Sequence, residues 1–211
     1  MDRGGEKLLG IILDEDLSFS NHIDKLCSKL AKRIGLLKKL RYYLPLDERI
    51  AFYNATIKSA MMFGSCVWSN TTKDNLDQIT KLQKRAARVI LDASTRDRSI
   101  PLFSKLGWIP FSKEVEIRKA MICHKRFYGN CPSYIIDILP TNASRHNRNT
   151  RYQDLTICLP KTKRQNDGGR SFAATASRFW NSLPLTMRKL SSATLFKKKL
   201  YDKANSDMLI E

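Results

Sequence analysis

Adjacent aspartates, paired cysteines, closely spaced histidines and long apolar runs are all missing from this 211-residue sequence. Without about eighteen consecutive apolar residues, a transmembrane helix is not expected. The five cysteines form an odd, scattered set, and the absence of any CxxC or HxxxH pair disfavours a zinc site. No secretory leader is recognisable, so reduced intracellular thiols are the expectation.

Acidic side chains are scarce relative to basic ones. The sequence has 38 Lys and Arg against 20 Asp and Glu, a net charge of +18, while 42% hydrophobic residues suffice for a core. Residues 141–200 hold 13 of the basic and 2 of the acidic residues, so they carry 11 of the 18 excess charges. This excess favours an anionic partner: a phosphate backbone, an anionic membrane surface or an acidic protein.

The spacing of apolar residues predicts a mainly α-helical protein. A short apolar strand is expected over 8–13, needing a neighbour to satisfy its backbone, and a second over 155–159 within a mobile basic linker. Helices are predicted from Ser20 or Asn21, as the N-cap, to before Pro45, and over 47–64, 73–92, 100–106, 111–128, 132–139, 171–182 and 192–203.

Two groups of residues have some of the features of a catalytic or metal site. Asp14, Glu15 and Asp16 are the densest carboxylate group, but an acid-rich turn before a helix is the stronger interpretation. Cys123 and His124 are neighbours on a predicted helix, so their side chains diverge, and we expect Cys123 in the core and His124 at its rim. Among the three histidines no hydrolase triad can be argued.

Basic helix faces and nearby aromatic residues are the features that favour nucleic-acid binding. Lys25, Lys29, Lys32 and Lys39 share one face of the first helix, and Lys81, Lys84, Arg85 and Arg88 cluster on another helix, although solvated surfaces would look the same. Aromatic residues beside arginines, which can stack on bases, are Tyr42, Tyr43 and Tyr152. Trp68, Trp108 and Trp180 lie in apolar or helix-boundary contexts that favour burial.

Several stretches, taken in order, resemble the region that follows the polymerase palm in reverse transcriptases of non-LTR retrotransposons of the LINE-like, jockey and CR1 type. They are 7–13 (KLLGIIL), 17–23 (LSFSNHI), 53–57, 63–68 (FGSCVW), 82–90 (LQKRAARVI), 106–110 (LGWIP), 179–184 (FWNSLP) and 191–200. Leu8 and Phe63 depart from that family, which often has an aromatic residue and a tyrosine there. The family's catalytic Asp-Asp pair has no counterpart, so no catalytic residue can be assigned.

The resemblance implies a helical, thumb-like bundle with a short N-terminal strand, a basic linker and C-terminal helices. Residues 1–19 would be a remnant of the last palm strand, 20–139 the thumb-like domain, 140–170 the linker and 171–211 a helical extension. In this family the thumb grips the template-primer duplex through its backbone. The expected phosphate partners are Lys25, Lys29, Lys32, Lys81, Lys84, Arg85 and Arg88, with a looser RNA tether of Arg145, Arg148, Arg151, Lys161, Lys163, Arg164 and Arg170.

By this resemblance the chain is a fragment of an RNA-directed DNA polymerase that binds RNA or an RNA–DNA hybrid and is not an enzyme by itself. The implied partners also include the palm and fingers of a parent polymerase, and the implied location is the nucleus or a cytoplasmic ribonucleoprotein. No cofactor is expected in this chain, whereas the intact parent would use a divalent metal such as Mg²⁺. Two alternatives remain: a truncated or domesticated protein-binding scaffold, and a residual polymerase or nuclease resting only on Asp14, Glu15 and Asp16.

Overall fold

The computed structural model describes residues 5–141, 155–161 and 168–210, and they are mainly helical, as the sequence predicts. A hairpin of two strands, β1 (Glu6–Leu8) and β2 (Ile11–Leu13), comes first. The helices of the N-terminal part are α1 (Ser20–Leu40), α2 (Leu46–Phe52), a π-helical segment (Tyr53–Lys58), α3 (Ser59–Met62), α4 (Ser65–Trp68), α5 (Lys73–Ile90) and α6 (Ser99–Leu106). Then follow α7 (Phe111–Tyr128), α8 (Ser133–Ile138), α9 (Phe172–Ser182), α10 (Leu185–Arg188) and α11 (Ala193–Ile210).

The described residues form two compact units that divide after Val115, within α7. The N-terminal unit contains the hairpin and the helices up to the start of α7, and the C-terminal unit contains the rest. None of the described helices is both long and apolar enough to cross a membrane.

Helix α1 organises the N-terminal unit. Its apolar positions Ile23, Leu30, Ile34 and Leu37 are fully buried, and the helix packs against α5. The predicted N-cap is wrong: Phe19 occupies that position in a left-handed conformation, and no side chain caps the helix. The chain is instead held by Asp14, whose carboxylate accepts a hydrogen bond from the Phe19 amide at 3.1 Å. Because Asp14 already holds the approach to the helix, a Ser20 or Asn21 cap is not required.

The predicted helix over 47–64 is present as one continuous helical run from Leu46 to Met62 with a π-helical middle. The extra residue in the π-helical turn shifts the face that the run presents. Tyr53 and Ile57, in the π-helical segment, are both 1% exposed, and Tyr53 stacks on Trp108 with ring centroids 4.0 Å apart. Gly64, at a positive φ of 59°, then starts a short helix that the sequence analysis did not predict, α4.

The predicted single strand over 8–13 is wrong. The chain reverses at Leu9 and Gly10, and β1 pairs antiparallel with β2, with Lys7 opposite Ile12. Both turn residues have positive φ, which glycine adopts without strain and which makes Gly10 the natural turning point. The strand is therefore paired within the same segment, and Leu9 at the tip of the hairpin is 85% exposed.

Gln83 joins α5 to the start of α7 through two buried hydrogen bonds from its side chain to backbone groups. Its side chain is 2% exposed; the amide nitrogen donates to the Ile109 carbonyl at 3.0 Å, and the amide oxygen accepts from the Phe111 amide at 2.8 Å. One glutamine thus satisfies a donor and an acceptor that would otherwise be buried without partners. It fixes the Trp108–Phe111 segment that closes the core.

In the C-terminal unit, Trp180 and Asn181 of α9 hold a short segment that begins at Leu155. The Trp180 indole donates to the Leu155 carbonyl at 2.7 Å, and the Asn181 side chain bonds both the amide and the carbonyl of Ile157. The strand predicted over 155–159 is reduced to a single antiparallel bridge between Ile157 and Thr141. Ile157 is 1% exposed, so this segment contributes to the core.

The predicted burial of the three tryptophans is confirmed, but the prediction for His124 is wrong. Trp68 and Trp180 are fully buried and Trp108 is 8% exposed. Cys123 is buried as expected, whereas His124 is only 2% exposed. Its ring stacks on Phe196 at 4.7 Å, and its Nε2 lies 2.8 Å from the Leu190 carbonyl, so α11 and the segment before it cover the side of the helix that we expected to be its rim.

Replacing Gln83 with leucine is expected to destabilise the N-terminal unit strongly. The variant would leave the Ile109 carbonyl and the Phe111 amide buried without partners, a loss of about 2–5 kcal/mol for the pair. Urea unfolding followed by tryptophan fluorescence measures this free energy. Gln78→Leu on the exposed side of the same helix is the matched control and should change the free energy by less than about 0.5 kcal/mol. Equal effects of the two variants would contradict the role given to Gln83.

Candidate nucleic-acid interface

Four lysines form a stripe along α1. Lys25, Lys29, Lys32 and Lys39 recur at steps of four, three and seven residues, which places them on one face of a helix, and all four are exposed. The face lies opposite the buried positions Ile23 and Ile34, so packing of the apolar side presents the lysines to solvent. From Lys25 to Lys39 the stripe, hereafter the α1 stripe, extends about 21 Å.

A groove of about 540 Å³ opens beside the first turns of this stripe. Its walls come from the hairpin, from α1 and from α3 with the residue that follows it. The lining residues are Lys7, Gly10, Ile12, His22, Lys25, Leu26, Lys29, Arg33, Ser59, Ala60 and Phe63. Four of them are cations and none is an Asp or Glu, so the part of the wall that the structure describes has a strongly positive charge.

Two groove residues are fixed by bonds to their surroundings. Arg33 donates through one guanidinium nitrogen to the Thr56 carbonyl. The backbone of Phe63 accepts a hydrogen bond at 2.7 Å from the indole of Trp68, which is fully buried, while the Phe63 ring remains 58% exposed. This bond holds the backbone from which the exposed side chain projects.

His22 forms the inner part of the groove. It is 8% exposed, its ring lies 5.7 Å from that of Trp68, and its Nδ1 accepts a hydrogen bond from the Ile12 amide at 3.4 Å. Burial lowers the pKa of His22 below its usual value. A neutral imidazole suits this position, because a protonated Nδ1 could not accept from the amide and would face Lys7, Lys25 and Lys29.

The four basic residues predicted on α5 share the helix face opposite its buried side, but they do not line the groove. Lys81 and Arg85 are exposed, whereas Lys84 and Arg88 are half-buried. Arg88 donates to the Asp97 carbonyl, and Asp74 and Asp77 lie on the same face one to two turns earlier. This face carries both signs of charge, unlike the α1 stripe.

Of the seven basic residues predicted to form the RNA tether, the structure describes only Lys161 and Arg170, which are exposed and half-buried respectively. The predicted contacts Arg145, Arg148, Arg151, Lys163 and Arg164, together with Tyr152, lie outside the described residues. The predicted RNA tether remains a prediction.

Tyr42 and Tyr43 follow α1 and are 75% and 83% exposed. Arg41 donates to the Tyr42 hydroxyl at 2.7 Å, with its guanidinium 4.7 Å from the ring centroid. Arg41 also pairs with Asp92 at 3.0 Å, so this arginine is bound within the protein. The two tyrosines are accessible for stacking at the far end of the α1 stripe.

The acid-rich turn does not fit a metal site. Asp14 accepts hydrogen bonds from the Ser18 hydroxyl at 2.5 Å and the Phe19 amide at 3.1 Å, which is the turn role favoured by the sequence. Over residues 5–141, 155–161 and 168–210, no three His, Cys, Asp or Glu side chains form a group that could hold a metal ion. The divalent metal implied for a parent enzyme has no ligand set among these residues.

Lys7, Arg33 and Phe63 are groove residues that sequence reasoning did not select. Lys7 precedes the predicted strand, Phe63 falls within a predicted helix, and Arg33 is half-buried between the apolar and basic sides of α1. These three positions have no regular spacing along the sequence. They lie together only because the hairpin turn and the chain reversal at Gly64 bring their segments into contact.

Two curated proteins of Drosophila melanogaster are similar to part of this chain. The probable RNA-directed DNA polymerase from transposon X-element is 30% identical over 88 residues, or 40% of this chain and 10% of that protein. The probable RNA-directed DNA polymerase from transposon BS is 29% identical over 104 residues, or 48% of this chain and 12% of that protein. These similarities support a relationship to transposon reverse transcriptases, of whose length the chain spans about a tenth.

Comparison with protein-family models gave no match. Comparison with solved structures likewise gave no match.

Lowering the pH from 7.5 to 5.5 is expected to destabilise the N-terminal unit through His22. The pKa of His22 in the folded state lies below the ordinary 6.5, so the unfolded chain takes up a proton first as the pH falls. The stabilisation is therefore complete above pH 6.5 and is lost as the pH falls from 6.5 through the folded-state pKa. Urea midpoints at the two pH values measure the loss. His22→Gln should reduce the pH dependence, and an unchanged dependence in this variant would contradict the assignment.

Proposed function

We propose that this chain is the thumb-like, template-primer-gripping part of a reverse transcriptase and that it binds RNA or an RNA–DNA hybrid. The observation that carries the proposal is the α1 stripe, an exposed row of four lysines on a helix whose opposite face is buried. The similarity to two RNA-directed DNA polymerases of transposons supports the same class of ligand.

Regularly spaced lysines suit a phosphate backbone. Each lysine is a flexible point charge that can follow phosphates without reading bases, and each contact displaces condensed counterions. Such contacts position a duplex and carry no sequence information. The proposed role is therefore a sequence-independent grip, with Lys81, Lys84, Arg85 and Arg88 of α5 as a second, weaker set.

The proposal assigns no DNA synthesis to the chain alone. Its sequence contains no adjacent aspartates, and its densest carboxylate group is engaged in a turn. Catalysis in this proposal belongs to the palm and fingers of a larger polymerase, which would supply the divalent metal site, in a nuclear or cytoplasmic ribonucleoprotein.

A protein-binding scaffold is the second candidate. Leu8 and Leu9 on the hairpin are 59% and 85% exposed, and exposed apolar side chains next to one another favour a protein contact. A scaffold of this kind would not require binding to nucleic acid. Measuring the affinity for an RNA–DNA hybrid against salt concentration therefore distinguishes the two functions.

The affinity for a labelled RNA–DNA hybrid is expected to fall steeply between about 50 and 200 mM salt. The triple variant Lys25→Gln, Lys29→Gln, Lys32→Gln should reduce the magnitude of the log–log slope by about 2, since each lost phosphate contact removes about 0.7 to 0.9. Fluorescence anisotropy measures both quantities.

The matched control removes the same charge from α11, where Lys197, Lys198 and Lys199 are all exposed. Their replacement with glutamine should leave the slope within experimental error of the unmodified chain. Equal losses in both triple variants would show that net charge alone drives binding. A flat slope with no binding at low salt would refute the proposed function and favour the scaffold.

A further inference from the structure

We propose that the groove beside the α1 stripe holds an unpaired nucleotide, with the base against the Phe63 ring and the phosphates against the surrounding cations. This inference rests on the proposed function, because Lys25 and Lys29 belong to both the stripe and the groove. It adds a binding site that distinguishes single-stranded from paired nucleic acid.

The cations of the groove come from two separate elements. Lys7 is on the hairpin, while Lys25, Lys29 and Arg33 are on α1, so an anion in the groove would be held from both walls. Arg33 uses one of its five N–H donors on the Thr56 carbonyl, which fixes the guanidinium and leaves donors for a phosphate oxygen.

The Phe63 ring gives the groove a feature that a phosphate-only site does not need. It is 58% exposed, and its backbone is held by Trp68. A Cβ built on Gly10 would lie 3.6 Å from Phe63 Cε1, so the hairpin turn lies beside the edge of the ring. An exposed ring among cations is the combination by which proteins bind single strands, since every base has a face that can stack.

The size and charge of the groove favour a nucleotide over an acidic peptide. Its volume of about 540 Å³ falls within the range of small-ligand sites, so it suits a single unpaired unit. The bases inside a duplex are already stacked and paired, so a blunt hybrid offers the ring at most its terminal base pairs, whereas an overhang offers unpaired bases. An acidic peptide would use the cations but would gain nothing specific from Phe63.

Three probes test the inference on the full chain at low salt. They are a blunt RNA–DNA hybrid, the same hybrid with a single-stranded RNA overhang, and that hybrid with an abasic overhang. Phe63→Ala should weaken binding of the normal overhang by at least about fivefold and leave the other two probes unchanged, because stacking on one ring typically contributes about 1–3 kcal/mol.

Matched variants separate stacking from other effects. Phe63→Tyr keeps the ring and should retain the affinity for the normal overhang, which also tests the site if the alanine variant fails to fold. Tyr134→Ala removes another exposed aromatic residue, which is 61% exposed and lies in the C-terminal unit. This variant should leave the affinity for all three probes unchanged.

The outcomes distinguish this inference from the proposed function. If all probes bind with the expected salt slope but Phe63→Ala affects none of them, only the nucleotide site is refuted. If no probe binds, the proposed function itself fails. Poly-glutamate supplies charge without bases, so it should displace the blunt probe at a lower concentration than the overhang probe; equal displacement of the two would mean that the ring adds nothing and would overturn the inference.

Discussion

Burial of one apolar face of α1 is the constraint on which the basic surface of this protein depends. Ile23, Ile34 and their apolar neighbours pack on the core, and each such side chain contributes about 1.5–3 kcal/mol when fully buried. Because the helix cannot rotate without exposing these residues, the α1 stripe has only one orientation. The same packing places Lys25 and Lys29 beside the hairpin. A charged surface of fixed geometry therefore follows from hydrophobic packing, and no ion pair among the described residues holds these lysines.

The hairpin turns this basic helix face into a groove. Its tip depends on Gly10, whose φ of 89° is disfavoured for other residues, and its second strand reaches Gly64, where a Cβ would lie 2.6 Å from the Ile11 side chain. Gly64 also has a positive φ of 59°, so any side chain there would meet both strain and a steric clash. Two glycines thus allow the hairpin to approach the reversal after α3. That approach places Lys7 and Phe63 in one wall.

Several motifs that carried the family resemblance contribute side chains to the core. Gln83 bonds the Trp108–Phe111 segment, Trp108 stacks on Tyr53, and Asn181 bonds Ile157. Their polar atoms satisfy buried backbone groups, which explains why glutamine and asparagine stand in otherwise apolar surroundings. The groove belongs partly to these motifs, since Lys7, His22 and Phe63 lie within them, whereas the lysines of the α1 stripe lie outside them.

Local periodicity alone determined the longer helices: α5 and α7 begin where the apolar spacing predicted them, and the burial of Trp68 and Trp180 followed from their contexts. The stripe on α1 was also predictable, because residues three and four apart share a face. Only the tertiary structure decided that the N-terminal strand is a hairpin, that His124 is buried, and that Lys7, Arg33 and Phe63 line one groove. These features depend on two turns with positive φ and on contacts between segments that are distant in sequence. The periodic spacing of residues predicts neither of these.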